Sequence, residues 1–537
     1  MLHLYSVFHC NLAFSMIPRR HFPAVVERCY WPVLRMAEKG VPLAIEMTAW
    51  TLNEAAGIDP FFVRKLKELW DAGLCEFVGS GNSQAIFPLI PAEVNRWNLE
   101  AGNRHYERIL GRRPTVALVN EQTYSRGLVD LYREAGYETI IMDWNNCYQH
   151  NHYPKEFKYG VQRAAGAKGN INLVWSHSIA FQKFQRCVHG ELPVDEYVEF
   201  LLSHHDPAKE RAFVIYSNDA EVFDFRPGAP VGATGEYEKI AEIYSRVASD
   251  KRVSLKTPGS LVESFRGVPD SMNIVRLEST ETPIVCKKQE KYNPVRWAVA
   301  GRDSVHINTE CHRVYGNIRE LEERGAPEET LMDSKEMLTL LWGSDFRTNT
   351  EDEKFRWFHD RLGWVKLETE RLLGVYKAKK HTEMALFGGT AYKEYHQATP
   401  PALLAEKGSK RPLVAAIRSV ANVLKVSTRT VEAEFLVDKG LAIKSLAFPE
   451  VSSKPLVGTL PHGHYEDIRL GADFFSGHLI HVTRDGKKST DLKKTSAVTE
   501  EDDSWVYVKT ETAIDIGTLW KTYKISKTVP EVALTCT

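Results

Sequence analysis

The chain has 537 residues, a formal net charge of −1, and a composition that is 43% hydrophobic and 26% charged. That length exceeds one ordinary domain and implies two or three, one of them large. A near-neutral balance excludes a global electrostatic attraction to nucleic acid or to an anionic membrane, so neither is expected as a partner. Eight cysteines, at 10, 29, 75, 147, 187, 286, 311 and 536, form no C-x-x-C pair. They read as reduced thiols rather than as a disulfide framework or a zinc site. The first residues show no basic segment ahead of a long apolar one, and no apolar run approaches the roughly eighteen residues of a membrane helix. A cytoplasmic, soluble enzyme is the expectation.

From residue 1 to about 260, short apolar runs alternate with helical stretches. The runs are 2–8, 43–48, 75–80, 116–121, 139–144, 171–176 and 213–218, with a further one near 252–256. Such runs, separated by helices, are the pattern of buried parallel strands. Between them, 24–38 mixes Val25, Val26, Cys29, Leu34 and Met36 with charged residues, and 60–72 repeats Phe61, Phe62, Leu66, Leu69 and Trp70 at helical spacing. Pro91 opens a helix that runs to about Leu110. Gly73, Gly111 and Gly136 sit where such helices stop. Seven repeats predict an α/β fold, an irregular (β/α) barrel over residues 1–265 in preference to an open sheet.

Residues 266–398 read as a barrel-associated helical subdomain. Its first part, to about 330, is less regular. The stretch 331–385 is helical through Leu338, Leu341, Trp342, Phe355, Trp357, Phe358, Leu362 and Trp364. Pro400-Pro401 and the basic stretch Lys407–Arg411 mark 399–433 as a connector. From 434 to 537 apolar and polar residues alternate between Gly-rich turns, as in Leu441–Leu446, His478–Val482 and Trp505–Val508. That alternation predicts a C-terminal antiparallel, sandwich-like β-domain.

Several apolar runs end abruptly in a residue that carries chemistry. Val116–Val119 ends in Asn120-Glu121, and Ala212–Ser217 in Asn218-Asp219, with Glu221 two residues on. His9 closes the first run and Asp143 the fifth, while Glu46 and Glu76 lie on the second and third. In a parallel barrel the active site is built at the carboxyl ends of the strands, and burying a carboxylate without a partner is costly. Two carboxyl groups flanking a sugar are what glycoside hydrolysis uses. A single strand-end carboxylate serves equally as a helix N-cap or an ion-pair partner.

His9 suits a sugar hydroxyl or, together with carboxylates, a metal. Trp144, Trp175, Phe181 and Phe184, at or after the ends of the fifth and sixth runs, are either platforms for sugar rings or core. Asp345 follows Gly343 in the helical stretch and either reaches over the barrel mouth or caps a helix. Asp224, Arg226 and Gly228 read as a turn. Metal-dependent deacetylase or mannosidase chemistry would need an H-x-D or H-x-x-x-H set at a strand end. His150 and His152 lie in a polar loop without one. His204-His205-Asp206 matches H-x-D but follows a helical stretch and runs into Pro207.

At these positions the chain resembles glycoside hydrolase family 57, the family of α-amylases and 4-α-glucanotransferases. His9, with Arg28-Cys29-Tyr30-Trp31-Pro32, looks like the family's first region, although its H-Q-P element reads His9-Cys10-Asn11 here. Glu76–Gly81 is similar to the second region, with Gln84 where a carboxylate is common. Asn120-Glu121 matches the third region. Asn218-Asp219-Ala220-Glu221-Val222-Phe223 matches the D-x-E-x-F core of the fourth, and Gly343-Ser344-Asp345 resembles the fifth.

The resemblance implies an incomplete (β/α)7 barrel and a retaining α-glycoside hydrolase or transglycosylase. It would act on α-linked oligo- or polysaccharide without a metal or other cofactor. By the same resemblance Glu121 is the nucleophile and Asp219 the general acid/base, with Glu221 raising the pKa of Asp219 by like-charge proximity. His9, Glu76, Glu221 and Asp345 are the expected substrate-binding residues, with Trp144 and Trp175 as sugar platforms. Asp143 and Glu46 are expected in structural or supporting roles. Two readings compete: a metal-dependent polysaccharide deacetylase or mannosidase-like enzyme, and a carbohydrate-binding protein without catalysis.

Overall fold

The apolar runs of the N-terminal half form strands close to where periodicity puts them. In chain order these are β1 (Leu2–Cys10), β2 (Leu43–Met47), β3 (Cys75–Val78), β4 (Val116–Leu118) and β5 (Thr139–Asp143). They continue with β6 (Gln162–Ala165), β7 (Asn170–Ser176), β8 (Arg211–Asp219), β9 (Val253–Lys256) and β10 (Ile274–Val275). Every residue of β2 and β5 is buried, which is why those runs are mainly apolar instead of alternating. β6 pairs antiparallel with β7, and β10 continues the sheet beyond β6. Neither had been marked by an apolar run.

This architecture belongs to a computed structural model that describes residues 1–226, 235–286, 294–348, 350–386, 415–420, 422–452, 454–459, 475–482 and 488–537. Two units divide the chain, Met1–Gly389 and Thr390–Thr537. In the first, one sheet has the order β3-β2-β1-β8, with β9 also on β1, and a second runs β10-β6-β7-β5-β4. A parallel bridge between Gly79 and Ala117 joins them, through Gly79 N–H to Val116 O at 3.0 Å and Leu118 N–H to Gly79 O at 2.9 Å. The parallel wall therefore curls as β8-β1-β2-β3-β4-β5-β7. Among the described residues no ladder joins β7 back to β8, so the barrel is incomplete.

Helices between the strands start where the chain supplies caps. Thr48 accepts from Thr51 N–H at 3.2 Å ahead of Ala49–Ile58. Asp59 accepts from Phe61 and Phe62 N–H ahead of Pro60–Asp71, with Pro60 at the first helical position. Beyond the barrel come three longer helices, α1 (Ser304–Glu323), α2 (Glu328–Leu341) and α3 (Asp352–Leu386). Ile307, Val314, Ile318, Leu338, Leu341 and Phe358 of these helices share one apolar core with Ala117, Ile140 and Leu173 of β4, β5 and β7. α1 falls inside the stretch that periodicity left irregular.

In the second unit, Ala416–Val420, Val423–Ser427, Glu432–Leu436, Ala442–Ala447 and Val457–Gly458 form an antiparallel sheet. Its first two strands lie within the span read as a connector. Val498–Glu501, Trp505–Ile514, Gly517–Ser526 and Val532–Cys536 form another. Leu424, Val426, Ala433 and Phe435 of the one share a core with Val506, Val508, Tyr523 and Ile525 of the other, as stacked sheets do. Pro400-Pro401 and Lys407–Arg411 lie outside the described residues, as does Gly228.

Candidate active site

The carboxyl ends of β2, β1 and β8 come level with one another, and their register pairs His9 with Glu46 on one side and with Asp219 on the other. His9 Nδ1 bonds Glu46 Oε2, and Nε2 lies 3.9 Å from Asp219 Oδ1. Ser80 Oγ–H donates to the other Glu46 oxygen, and both His9 and Glu46 are buried. Burial works against the imidazolium, but the carboxylates of Glu46, Asp219 and Glu221 outweigh it and raise His9 to about 10. At neutral pH His9 is therefore a cation, gripped by Glu46 and facing Asp219.

Asp219 ends β8 with its side chain 31% exposed, whereas Glu221 is only 1% exposed. Tyr216 O–H donates to Asp219 O at 2.6 Å and holds the strand end. Glu221 Oε1 accepts from the Asn11 backbone N–H and from Tyr30 O–H. Tyr30 ends a single π turn, Val26–Tyr30, set between helical Phe22–Val25 and Trp31–Glu38. Such turns commonly mark functional positions. Burial first, and then the Asp219 charge, push Glu221 up to about 7.

Glu121 follows β4 in one tight 3₁₀ turn, Asn120–Gln122, in which Glu121 and Gln122 both have φ 51°. Left-handed backbone at two successive non-glycine residues is strained. Asn120 secures the turn, donating from Nδ2 to Ser80 O at 3.1 Å, while its own carbonyl accepts from Thr123 N–H at 3.0 Å. Glu121 Oε1 accepts from Ser344 Oγ–H at 3.3 Å and from Gln84 Nε2–H at 3.4 Å. Asp345, next to Ser344, accepts from Asn11 Nδ2–H at 3.1 Å. Burial pushes Asp345 up to about 6; the Asn11 bond opposes this and the Glu121 carboxylate adds to it.

Asn11 is thus the hub. Its backbone meets Glu221, and its amide meets Asp345 and, at 2.9 Å, Gln84 Oε1. The loop that brings Gln84 there depends on Gly81, whose φ is +97° and whose added Cβ would lie 2.4 Å from Asn98 Oδ1. That same oxygen accepts from Asn82 and Ser83 N–H at 2.6 and 3.1 Å, so neither the loop nor Asn98 has room for a side chain at residue 81.

Glu121, Asp219, His9, Glu221 and Asp345 are brought together, and three expected residues are not. Glu76 stands two residues before Val78, the partner of Glu46 in the ladder. Its carboxylate accepts from Gly259 N–H at 2.7 Å at the start of the helix Pro258–Ser264, and burial raises its pKa. Trp144 and Trp175 are each 3% exposed and pack edge to face at 5.2 Å. Trp175 Nε1–H donates to Phe157 O, so both rings are core and neither offers a face to a sugar. Phe184 is fully buried and Phe181 packs on the same core. Asp143 caps Trp144–Tyr148 through Asn146 N–H at 2.8 Å.

Tyr30, Ser80 and Ser344 lie within the segments that carry the family resemblance, but the sequence assigns none of them a role of its own. Asn11 and Gln84 had been noted only as departures from a motif. The histidines of the metal reading lie apart: His204 precedes β8, stacks on Phe213 at 3.8 Å and is lowered by burial to about 4. Among the described residues no group of three or more His, Cys, Asp or Glu side chains is arranged to hold a metal, and no helix is long and apolar enough to cross a membrane.

A curled parallel sheet with a polar cluster gathered at the carboxyl ends of its strands is the layout of a barrel enzyme. The chain belongs to glycosyl hydrolase family 57, whose model matches residues 2–272. It is accordingly a glycoside hydrolase or glycosyl-transferring enzyme. The fold is similar to that of the 4-α-glucanotransferase from Thermococcus litoralis, at 13% identity and TM-score 0.53 over 98% of this chain and 85% of that one. It is also similar to an α-mannosidase from Enterococcus faecalis V583, at 10% identity and TM-score 0.54 over 99% of this chain and 74% of that one. At such identities the likeness is one of fold. A comparison with curated proteins finds no match.

Proposed function

We propose that the protein is a retaining α-glycoside hydrolase or transglycosylase acting on α-linked oligo- or polysaccharide. Glu121 attacks the anomeric carbon while Asp219 protonates the departing glycosidic oxygen. A covalent glycosyl–Glu121 ester results, and Asp219 then takes the proton of a water or sugar hydroxyl that attacks it. The observation that carries this reading is the network through Asn11 and Gln84, which ties the Glu121 end of β4 to the Glu221–Asp219 end of β8. Asp219, the more exposed of its pair, is the one a substrate can reach. His9 Nε2, 3.9 Å from Asp219 Oδ1, flanks the same strand end.

The test is to incubate the protein with a panel of α-linked oligosaccharides and to read the products by mass. Chain shortening, or redistribution of chain lengths, is expected. Glu121→Gln and Asp219→Asn should each lower turnover at least about a thousandfold without unfolding the protein. Full activity in either variant rejects the assignment.

A further inference from the structure

A lysine ammonium is among the least favourable groups to bury, so a buried one is informative. Lys354 stands in the first turn of α3 and is 8% exposed. Its Nζ donates to three consecutive backbone carbonyls, Leu12 at 3.0 Å, Ala13 at 3.1 Å and Phe14 at 2.6 Å. All three N–H groups of the ammonium are thereby used, and the Phe22 ring lies 5.3 Å from Nζ. Burial lowers Lys354 to about 8, against the opposing charges of Asp345, Glu351, Glu221 and Glu353.

Those three carbonyls belong to the turn that leaves β1, and the turn begins at Asn11. Phe14 N–H donates to Asn11 O at 3.1 Å, and Ala13 N–H to Asn11 Oδ1 at 3.0 Å. Fixing residues 12–14 therefore fixes both the backbone and the side chain of Asn11. The start of α3 grips the same turn a second time, through Glu351 N–H to Ser15 O at 3.2 Å.

We infer that Lys354 is a positioning residue for the reaction proposed above: through the turn Leu12–Phe14 it sets the Asn11 amide that joins the Glu121 side of the site to the Asp219 side. Its kinetic readout rests on that reading of function; its geometric readout does not.

A double-mutant cycle in the full chain tests it. Lys354→Met is expected to lower kcat about a hundredfold on the best α-linked oligosaccharide, the effect of a displacement near 1 Å. KM should change by less than about threefold. Because Lys354 acts through Asn11, adding Lys354→Met to Asn11→Ala should cost nothing further. Wild-type turnover in Lys354→Met, or losses that multiply in the double variant, overturns the inference. Lys354→Arg keeps a cation for the carbonyls and carries the same cycle if the methionine variant fails to fold. Its kcat should recover to within about tenfold of wild type, and losses that multiply with Asn11→Ala again overturn the inference. Should the wild-type protein act on no α-linked sugar, the reading of function fails by itself. The crystal structure of the folded Lys354 variant then decides: Asn11 Nδ2 is expected to leave Gln84 and Asp345, and an unmoved Asn11 overturns the inference.

Discussion

Glu121 sits at φ 51°, a conformation that costs a residue of its type roughly 1–2 kcal/mol. It also adds to the electrostatic load on Asp345. Asparagine tolerates the left-handed region better and carries no charge. Glu121→Asn should therefore melt above the wild-type protein at pH 8 while losing turnover, and a lower melting temperature would count against strain at this residue. Glu221 gives a second, pH-dependent case. Its folded pKa of about 7 stands above the ordinary 4.5, so the folded protein holds the proton more tightly than the unfolded chain. The stability this contributes is complete below pH 4.5 and is lost as pH rises through 7. Glu221→Gln keeps an acceptor for Asn11 and Tyr30 without the charge. It should gain about 3 kcal/mol over wild type at pH 8, and little at pH 4.5. Urea unfolding at the two pH values measures this, and a gain that does not vary with pH sinks the idea.

At the level of elements, Glu76 shows what strand position decides. It lies on a strand of the right sheet, yet two residues short of the functional end, and serves the helix Pro258–Ser264 instead. Glu76→Gln should leave kcat/KM within about twofold of wild type, whereas loss of a sugar ligand would cost tenfold or more. Oligosaccharide turnover tells the two apart. The strands were legible because β1, β2 and β5 are buried almost throughout and hence mainly apolar, with polar residues chiefly toward their ends. Their ends carried His9, Glu121 and Asp219, and those were legible too. β6 was not, because Gln162 and Arg163 open it and break the apolar signal. α1 was missed because its buried stripe, Ile307, Cys311, Val314, Ile318 and Leu321, is one residue wide per turn among charged neighbours. Asn11, Gln84 and Lys354 lie on turns or on a helix start, where no periodicity marks them. Only tertiary contact gives them a role.

On the scale of the whole molecule, the second unit has its own polar anchor. Lys521, 1% exposed, forms an ion pair with the fully buried Asp491 and donates to Gly440 O and Gly477 O, each at 2.8 Å. Removing one partner of a buried pair leaves an uncompensated charge, at about 3–5 kcal/mol. Calorimetry of Lys521→Met should show the transition of Thr390–Thr537 moved down by several degrees, and an unmoved transition would contradict the anchoring role.

The family match ends at residue 272, yet Ser344, Asp345 and Lys354 reach the strand ends from beyond it. For protein engineering this fixes the smallest cassette worth transplanting. A graft of residues 2–272 would import Glu121 without its Ser344 hydrogen bond and Asn11 without Asp345 and Lys354. One that continues through α3 would keep those contacts together with the core that Phe358 shares with β4, β5 and β7.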